Sequence, residues 1–292
     1  TYQHCTQRIT PQNKIMKHRH IFTLTLCLLA LTATAQKKLI ILHTNDTHSC
    51  IMPLSEHLAD TMLAGRGGFL RRLEMIKQER KKHPDLLYFD SGDFSQGSPY
   101  YTLFKGDVEV ELMNRMGCNA ATIGNHEFDF GMENMVRIFK KAKFPILCAN
   151  YDFTSTPLQG LIKPYTIIRR KGIKIGVFGI GPKLEGLVLT HNYGNAKYLD
   201  PAATALRVAT MLKEQKKCDI VICISHLGWD LGGDDDNRMI SHSRNIDLVL
   251  GGHSHTYFTE LMYEKNLDGK PVPDDQNGKN AIYVGKLVLE FK

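Results

Sequence analysis

The sequence lacks several features, and each absence narrows its class. It has no Cys-x-x-Cys pair, so a thiolate metal site is excluded. Its seven cysteines are scattered and mostly sit inside apolar runs, which is no disulfide framework and points to buried thiols. The apolar run Ile21 to Leu31 is too short for a stable membrane span. There is no internal repeat, no long linker and no sign of a second domain. No serine or cysteine sits in a nucleophile elbow or triad pattern. The formal net charge is +7, but Arg8, Lys14, Lys17 and Arg19 all lie in the first 35 residues, which hold no acidic residue. Without them the charge is +3, and no basic block remains to recruit a nucleic-acid polymer.

Residues 1–15 are polar, begin without Met and show no periodicity, so they read as a non-native or untranslated extension. From Met16 the chain runs through Lys17 and Arg19 into the apolar stretch, then Ala33-Thr34-Ala35. Charged, apolar and small-residue segments in that order are a secretory signal. Cys27 follows Leu26 rather than a small residue, which argues against lipoprotein processing. Residues 16–35 are therefore expected to be a signal peptide, cleaved near Ala35, with the protein periplasmic or secreted. Residues 36–292 remain, enough for one large domain with a sizeable core.

Past the signal, short apolar runs alternate with helical patterns. Runs at 39–42, 86–89, 120–123, 146–149, 173–180, 220–224 and 246–250 read as strands. Phe69, Leu70, Leu73 and Ile76 make one helix face, closed by basic Arg80-Lys81-Lys82. Asp107 is placed to cap a second helix with Val108, Leu112 and Met116 inward and Gly117 at its end. Asp200-Pro201 opens a third, with Ala205, Val208, Ala209 and Leu212 apolar. Strand–helix alternation predicts an α/β domain. Asp234–Asp236 read as a solvated Gly-rich loop.

The strand ends carry the chemistry. Ala120–Ile123 leads into Gly124-Asn125-His126-Glu127-Phe128-Asp129, where Gly124 is expected to permit a positive-φ turn. Asp129 fits either a carboxylate holding the His126 ring or the cap of the helix whose stripe is Met132, Met135, Val136 and Phe139. Four other strand ends are similar: His43-Thr44-Asn45-Asp46-Thr47-His48, Asp90-Ser91-Gly92-Asp93, Ser225-His226-Leu227-Gly228 and Gly251-Gly252-His253-Ser254-His255. Asp46/His48 and His253/His255 are i, i+2 pairs, which extended backbone would point to one face. Gly251-Gly252 leave room for close backbone approach. In open α/β sheets, ligands bind beyond the carboxyl ends of strands. Asp46, His48, Asp93, Asn125, His226, His253 and His255 are too many ligands for one ion, and two ions sharing Asp93 use them well. Carboxylate, imidazole and amide ligands suit Zn²⁺ or Mn²⁺, with iron or cobalt as alternatives, rather than Ca²⁺. Paired ions roughly 3.5–4 Å apart are a device of phosphoester hydrolysis.

These five motifs, in this order over about residues 38–292, resemble the calcineurin-like metallophosphoesterases, and their wording is similar to the 5′-nucleotidase branch. The resemblance implies a four-layer αββα sandwich. It implies that Asp46, His48, Asp93 and His255 hold one metal and that Asp93, Asn125, His226 and His253 hold the other. His126 and Asp129 match the family's catalytic dyad, and His43 and Asn45 would orient neighbours. Asp90 is expected to be a loop residue, and His57, His83, His191 and His242 match no motif. The implied reaction is hydrolysis of nucleoside monophosphates or related phosphate esters by metal-activated water. Cyclic-nucleotide, nucleotide-sugar and thiosulfohydrolase-like chemistry are the alternatives, with an inactive periplasmic metal-binding module as the rival of another class. Typical 5′-nucleotidases add a substrate-binding domain that stacks aromatics on the base. The sequence stops at Lys292, so a separately encoded C-terminal substrate-binding domain is the expected partner. Phe94, Tyr100, Tyr101, Trp229 and Tyr257 are expected to pack or to line the rim.

Overall fold

The computed structural model describes the backbone of residues 2–9 and 37–291, with side chains over the latter range. The signal segment, its cleavage site and Cys27 lie outside the described residues. In chain order the first strands are β1 (Tyr2–Ile9), β2 (Lys37–Thr44), β3 (Leu87–Asp90), β4 (Ala120–Thr122), β5 (Ile146–Leu147), β6 (Tyr151–Asp152) and β7 (Tyr165–Arg170). The rest are β8 (Ile173–Ile180), β9 (Lys197–Tyr198), β10 (Ile220–Ser225), β11 (Leu248–Leu250), β12 (Met262–Lys265), β13 (Pro271–Asp275) and β14 (Val284–Phe291).

Two six-stranded sheets result, in the orders β1-β14-β2-β3-β4-β5 and β12-β13-β11-β10-β8-β7, while β6 and β9 form a small ribbon. The central strands are parallel, β2 with β3, β3 with β4, and β10 with β8 and β11. Such strands are covered on both faces and must be apolar throughout. Accordingly Ile220–Ser225 is buried at every position.

Three apolar clusters define the layers. Leu39, Ile41, Leu87 and Phe89 of one sheet meet Ile175, Val177, Ile222 and Leu248 of the other between the sheets. Outside the first sheet lie the helices Phe69–Lys82, Asp107–Met116 and Gly131–Phe139, with Phe69, Ile76, Met113 and Met135 in that core. Outside the second lie Pro201–Thr210 and Asp236–Ser241, with Ala205, Val208 and Met239. The arrangement is the expected four-layer αββα sandwich. Each fully buried Leu, Ile or Phe contributes about 1.5–3 kcal/mol, so the middle layer holds the strand ends in fixed register.

Several local expectations need correction. Leu70 is exposed; the buried face of Phe69–Lys82 is Phe69, Arg72, Ile76 and Glu79, because the outer face is set by what lies beneath it. Gly106, not Asp107, precedes the second helix, and the Asp107 carboxylate instead pairs with Arg137 and Lys141. Gly117 does end that helix, at φ 67°. Asp200 caps the third as expected, accepting from the Ala203 amide at 2.7 Å. Asp234–Asp236 is not a solvated loop: Asp235 and Asp236 are buried, the former capping a helix and the latter accepting from Ser225 Oγ. Tyr2–Ile9, read as lacking an element, pairs in parallel with β14 at the sheet edge, where an unpaired backbone is available to any extended segment.

Within residues 37–291 all cysteines are free, and four of the five are buried. Burial pushes the Cys148 thiol up to about 12 and raises those of Cys118 and Cys223. They are inert packing groups.

Candidate metal centre

The carboxyl ends of β2, β3 and β4 from one sheet and of β10 and β11 from the other meet at one edge of the sandwich. There the extended i, i+2 geometry expected for Asp46/His48 and His253/His255 does not occur. Asp46, His48, Asp93, His253 and His255 all have positive φ, at 48°, 43°, 51°, 73° and 56°. Such backbone costs a non-glycine residue about 1–3 kcal/mol and persists only where its surroundings over-determine it. Here the loops hold one another: the Asp46, His48 and Ser49 amides donate to the carbonyls of Gly92, Asp93 and Phe94. Ser91 Oγ ties the β3 loop to the Leu250 carbonyl at 2.7 Å, which joins the two sheets.

Asp46 shows how the centre is built. Its Oδ2 accepts from Asn45 Nδ2 at 2.6 Å and from the His253 amide at 2.9 Å. Its Oδ1 is buried with no hydrogen-bond partner and faces His255, His226 and His48 Nε2 at 3.4, 3.7 and 3.8 Å. His226 is similarly aimed. Its Nδ1 lies 2.6 Å from the Ser91 carbonyl oxygen, so the proton sits there. In a neutral ring Nε2 would then turn a lone pair toward Asp93 Oδ2, 3.1 Å away. Lone pairs facing one another need a positive charge between them. Burial opposes charge on His226, but Asp93 and Asp46 outweigh it and push the ring up to about 10. A divalent cation satisfies the same demand.

The ligand atoms fall into overlapping groups within 4.8 Å: Asp46, His48 and His255; Asp93, His226 and His253; and His48, Asp93 and His126. His48 and His255 bring their Nε2 atoms to 2.9 Å, and Asn125 Oδ1 is buried without a partner. Burial holds His48 below its usual range and His253 at about 4, so both rings are neutral, as ligation requires. Burial raises Asp93, but the neighbouring imidazoles of His226, His126 and His48 outweigh it and keep it ionised. The donor set and its orphaned atoms fit divalent cations.

His126 sits on the rim. Its Nδ1 is 3.1 Å from Asp129 Oδ2, its amide donates to Asp93 Oδ1 at 3.0 Å, and its side chain is 31 % exposed. Asp129 is not a helix cap: Phe130 holds that position. The Asp129 and Asp93 carboxylates outweigh burial and raise the His126 ring above its usual value. Gly124 is absent from the positive-φ residues. It is glycine for want of space, since a Cβ there would collide with Asp93 Oδ1 and come within 2.6 Å of His226 Nε2. Gly252 does serve close approach: a Cβ would lie 3.0 Å from His226 Nδ1.

Sequence reasoning passed over Glu127. Wholly buried, it accepts from the Gly124, Asp93 and Ser95 amides at 2.6, 3.0 and 3.1 Å, stapling the β3 loop to the β4 loop. Burial, then the Asp93 charge, push its carboxyl up to about 7. Only its place inside the hexapeptide hinted at this. Asn45 orients Asp46, as expected, whereas His43 reaches Asp275 at 2.9 Å and Asn277. Asp90 accepts from Thr44 and the Gly92 amide. His57, His83, His191 and His242 lie away from the cluster and none is buried. Phe94 and Tyr101 are buried, Trp229 packs on Phe258, and Tyr257 stacks on Tyr283 with centroids 4.0 Å apart.

Residues 39–257 match the calcineurin-like phosphoesterase family, a span containing every residue of this cluster. The chain belongs to that family. Among its relatives is human 5′-nucleotidase, 32% identical over 273 residues, which cover 87% of this chain and 46% of the human protein. Among solved structures, this phosphoesterase domain superposes on the 5′-nucleotidase precursor from Thermus thermophilus with a TM-score of 0.77 at 28% identity, covering 86% of this chain and 51% of that one. The NAD nucleotidase of Haemophilus influenzae gives 0.74 at 28% identity, covering 87% and 47%. The chain spans about half the length of the relatives it matches.

Proposed function

We propose that this domain hydrolyses phosphate monoesters, with nucleoside monophosphates as the substrate class. Two divalent ions, Zn²⁺ or Mn²⁺, are proposed at Asp46, His48, Asp93 and His255 and at Asp93, Asn125, His226 and His253. The observation that carries the reading is the set of buried, unpartnered ligand atoms converging beside the rim pair His126–Asp129. When bound, such ions lower the pKa of water and offset phosphoryl charge. The protein's own groups supply the rest. Asp129 fixes the His126 ring through Nδ1, and its charge favours the protonated imidazole. His126 can then give a proton to the leaving oxygen at the exposed rim, a contribution of roughly 10²–10⁴-fold. Glu127 keeps the Asp93 and Asn125 loops in register while this happens.

The nucleotide assignment is supported by the names of the relatives, which are about twice as long. A substrate-binding domain is the proposed partner of this one, and export through residues 16–35 the proposed route to the periplasm. Among the described residues no helix is long and apolar enough to cross a membrane.

Phosphate release from AMP and from nitrophenyl phosphate, with and without chelator, tests the chemistry. Hydrolysis should vanish with chelator and return with Zn²⁺ or Mn²⁺. A chain that carries two ions and releases no phosphate from any ester would instead be a metal-binding module.

A further inference from the structure

A second feature lies away from the metal centre, at the start of the helix Phe69–Lys82. Gly68 precedes that helix without a side-chain cap, and its first turn holds no acidic residue. It holds Arg71 and Arg72 instead. Cations at a helix N-terminus oppose the macrodipole, where anions are favoured. Arg72 is only 3% exposed, and none of its three guanidinium nitrogens has a hydrogen-bond partner. Its close contact is the Phe69 ring, 3.9 Å from the guanidinium carbon.

A buried charge without a hydrogen-bond partner costs several kcal/mol, which the Phe69 ring and the distant Asp90 charge offset only in part. Asp90, the buried carboxyl whose charge Arg72 senses, is held by Thr44 and the Gly92 amide and forms no ion pair with it. Glu56, beside Gly65, pairs with no arginine among the described residues. Arg72 lines a cavity of about 450 Å³ together with Arg66, Arg71, Gly67, Gly68 and Ala281. Arg71 donates one nitrogen to the Gly65 carbonyl. Three guanidinium groups, a helix N-terminus and no carboxylate make a site with one sign of charge. None of the metal-centre residues lines it, although its wall begins one residue after Asn280, whose amide donates to the Asp46 carbonyl at 2.8 Å.

We infer that this cavity is a binding site for a phosphate-class oxyanion, held by the guanidinium groups of Arg72, Arg66 and Arg71. It stands whether or not the metal centre hydrolyses esters. The test uses the full chain with its metals and inorganic phosphate as the probe. Calorimetric titration should resolve two phosphate sites in the parent and one in Arg72→Met. In phosphate-free buffer Arg72→Met should be at least as stable as the parent, since it removes a buried unpaired charge. The pair Arg66→Ser and Arg71→Ser, at partly or fully exposed positions, should fold normally and weaken the second site about tenfold, the scale of one charge-assisted hydrogen bond. A non-hydrolysable nucleoside phosphonate separates the two sources of such a group. Competition at the second site assigns a nucleotide phosphoryl group, and binding of phosphate alone assigns the free ion. Identical phosphate titrations in the parent, Arg72→Met and the double variant overturn the inference.

Discussion

Asp93 is the residue on which both proposed metal positions depend. Its two oxygens are divided, Oδ1 taking the His126 amide and Oδ2 facing His226 at 3.1 Å. Asp93→Ala is therefore expected to lose both ions and all activity rather than one ligand's share of affinity. Elemental analysis of the purified variant decides it, and two retained ions per chain would end the bridging assignment. His126→Ala should behave oppositely, keeping its metal while turnover falls roughly 10²–10⁴-fold; a metal-free variant would make His126 a ligand. Gly124→Ala adds a single methyl group, but against Asp93 and His226. It is expected to reduce metal content while the fold, followed by circular dichroism, stays intact. Here the sequence was partly legible: glycine at 124 was read as a turn residue, but its reason is a collision across two other strand ends. No local pattern can report a neighbour that is remote in sequence.

At the scale of elements, the outer helices are fastened through a few buried charges that periodicity does not reveal. Glu79, on the inner face of Phe69–Lys82, reaches Lys286 of β14 at 2.7 Å and Lys82 at 3.1 Å. Burial works against its charge, but Lys286 and Lys82 outweigh it and hold the carboxyl below the usual range. A depressed folded pKa gives stability that is present above the unfolded value of about 4.3 and lost as pH falls through the folded one. Glu79→Gln should thus destabilise the fold at neutral pH by about 1 kcal/mol, the scale of a partly exposed ion pair. Urea melts should show the gap closing below about pH 4; a gap unchanged in acid would show that packing, not charge, was lost. The helix's apolar stripe was read as Phe69, Leu70, Leu73 and Ile76; Phe69 and Ile76 are buried, but Leu70 is exposed and Arg72 and Glu79 face inward. Composition marks these as surface residues, and only the layer below them shows otherwise.

For the whole molecule, the candidate metal centre forms where two sheets present five strand ends to one edge, with His126 partly exposed at its rim. Of the aromatics nearest the motifs, Phe94 and Tyr101 are buried, Trp229 packs on Phe258, and Tyr257 and Tyr100 are exposed, Tyr257 with one face stacked on Tyr283. Base stacking is worth about 1–3 kcal/mol, up to roughly a hundredfold in affinity. This chain should therefore hydrolyse AMP, GMP and CMP with similar KM values, close to that of nitrophenyl phosphate. Steady-state kinetics on the four esters measures this, and strong base discrimination would mean that a base slot already exists here.

The sequence by itself determined the α/β alternation, the strand ends that gather the candidate ligands, and the mixed carboxylate, imidazole and amide character of those side chains. These follow from local periodicity and from the chemistry of short motifs, which a linear reading preserves. Tertiary structure decided the rest: the positive-φ loops at Asp46, His48, Asp93, His253 and His255, the staple at Glu127, and the burial of Arg72 and Asp236. Each of these depends on a group from another strand or layer. A left-handed residue is tolerated because neighbouring loops bind its amides, and a charge is buried because packing elsewhere leaves it no other position.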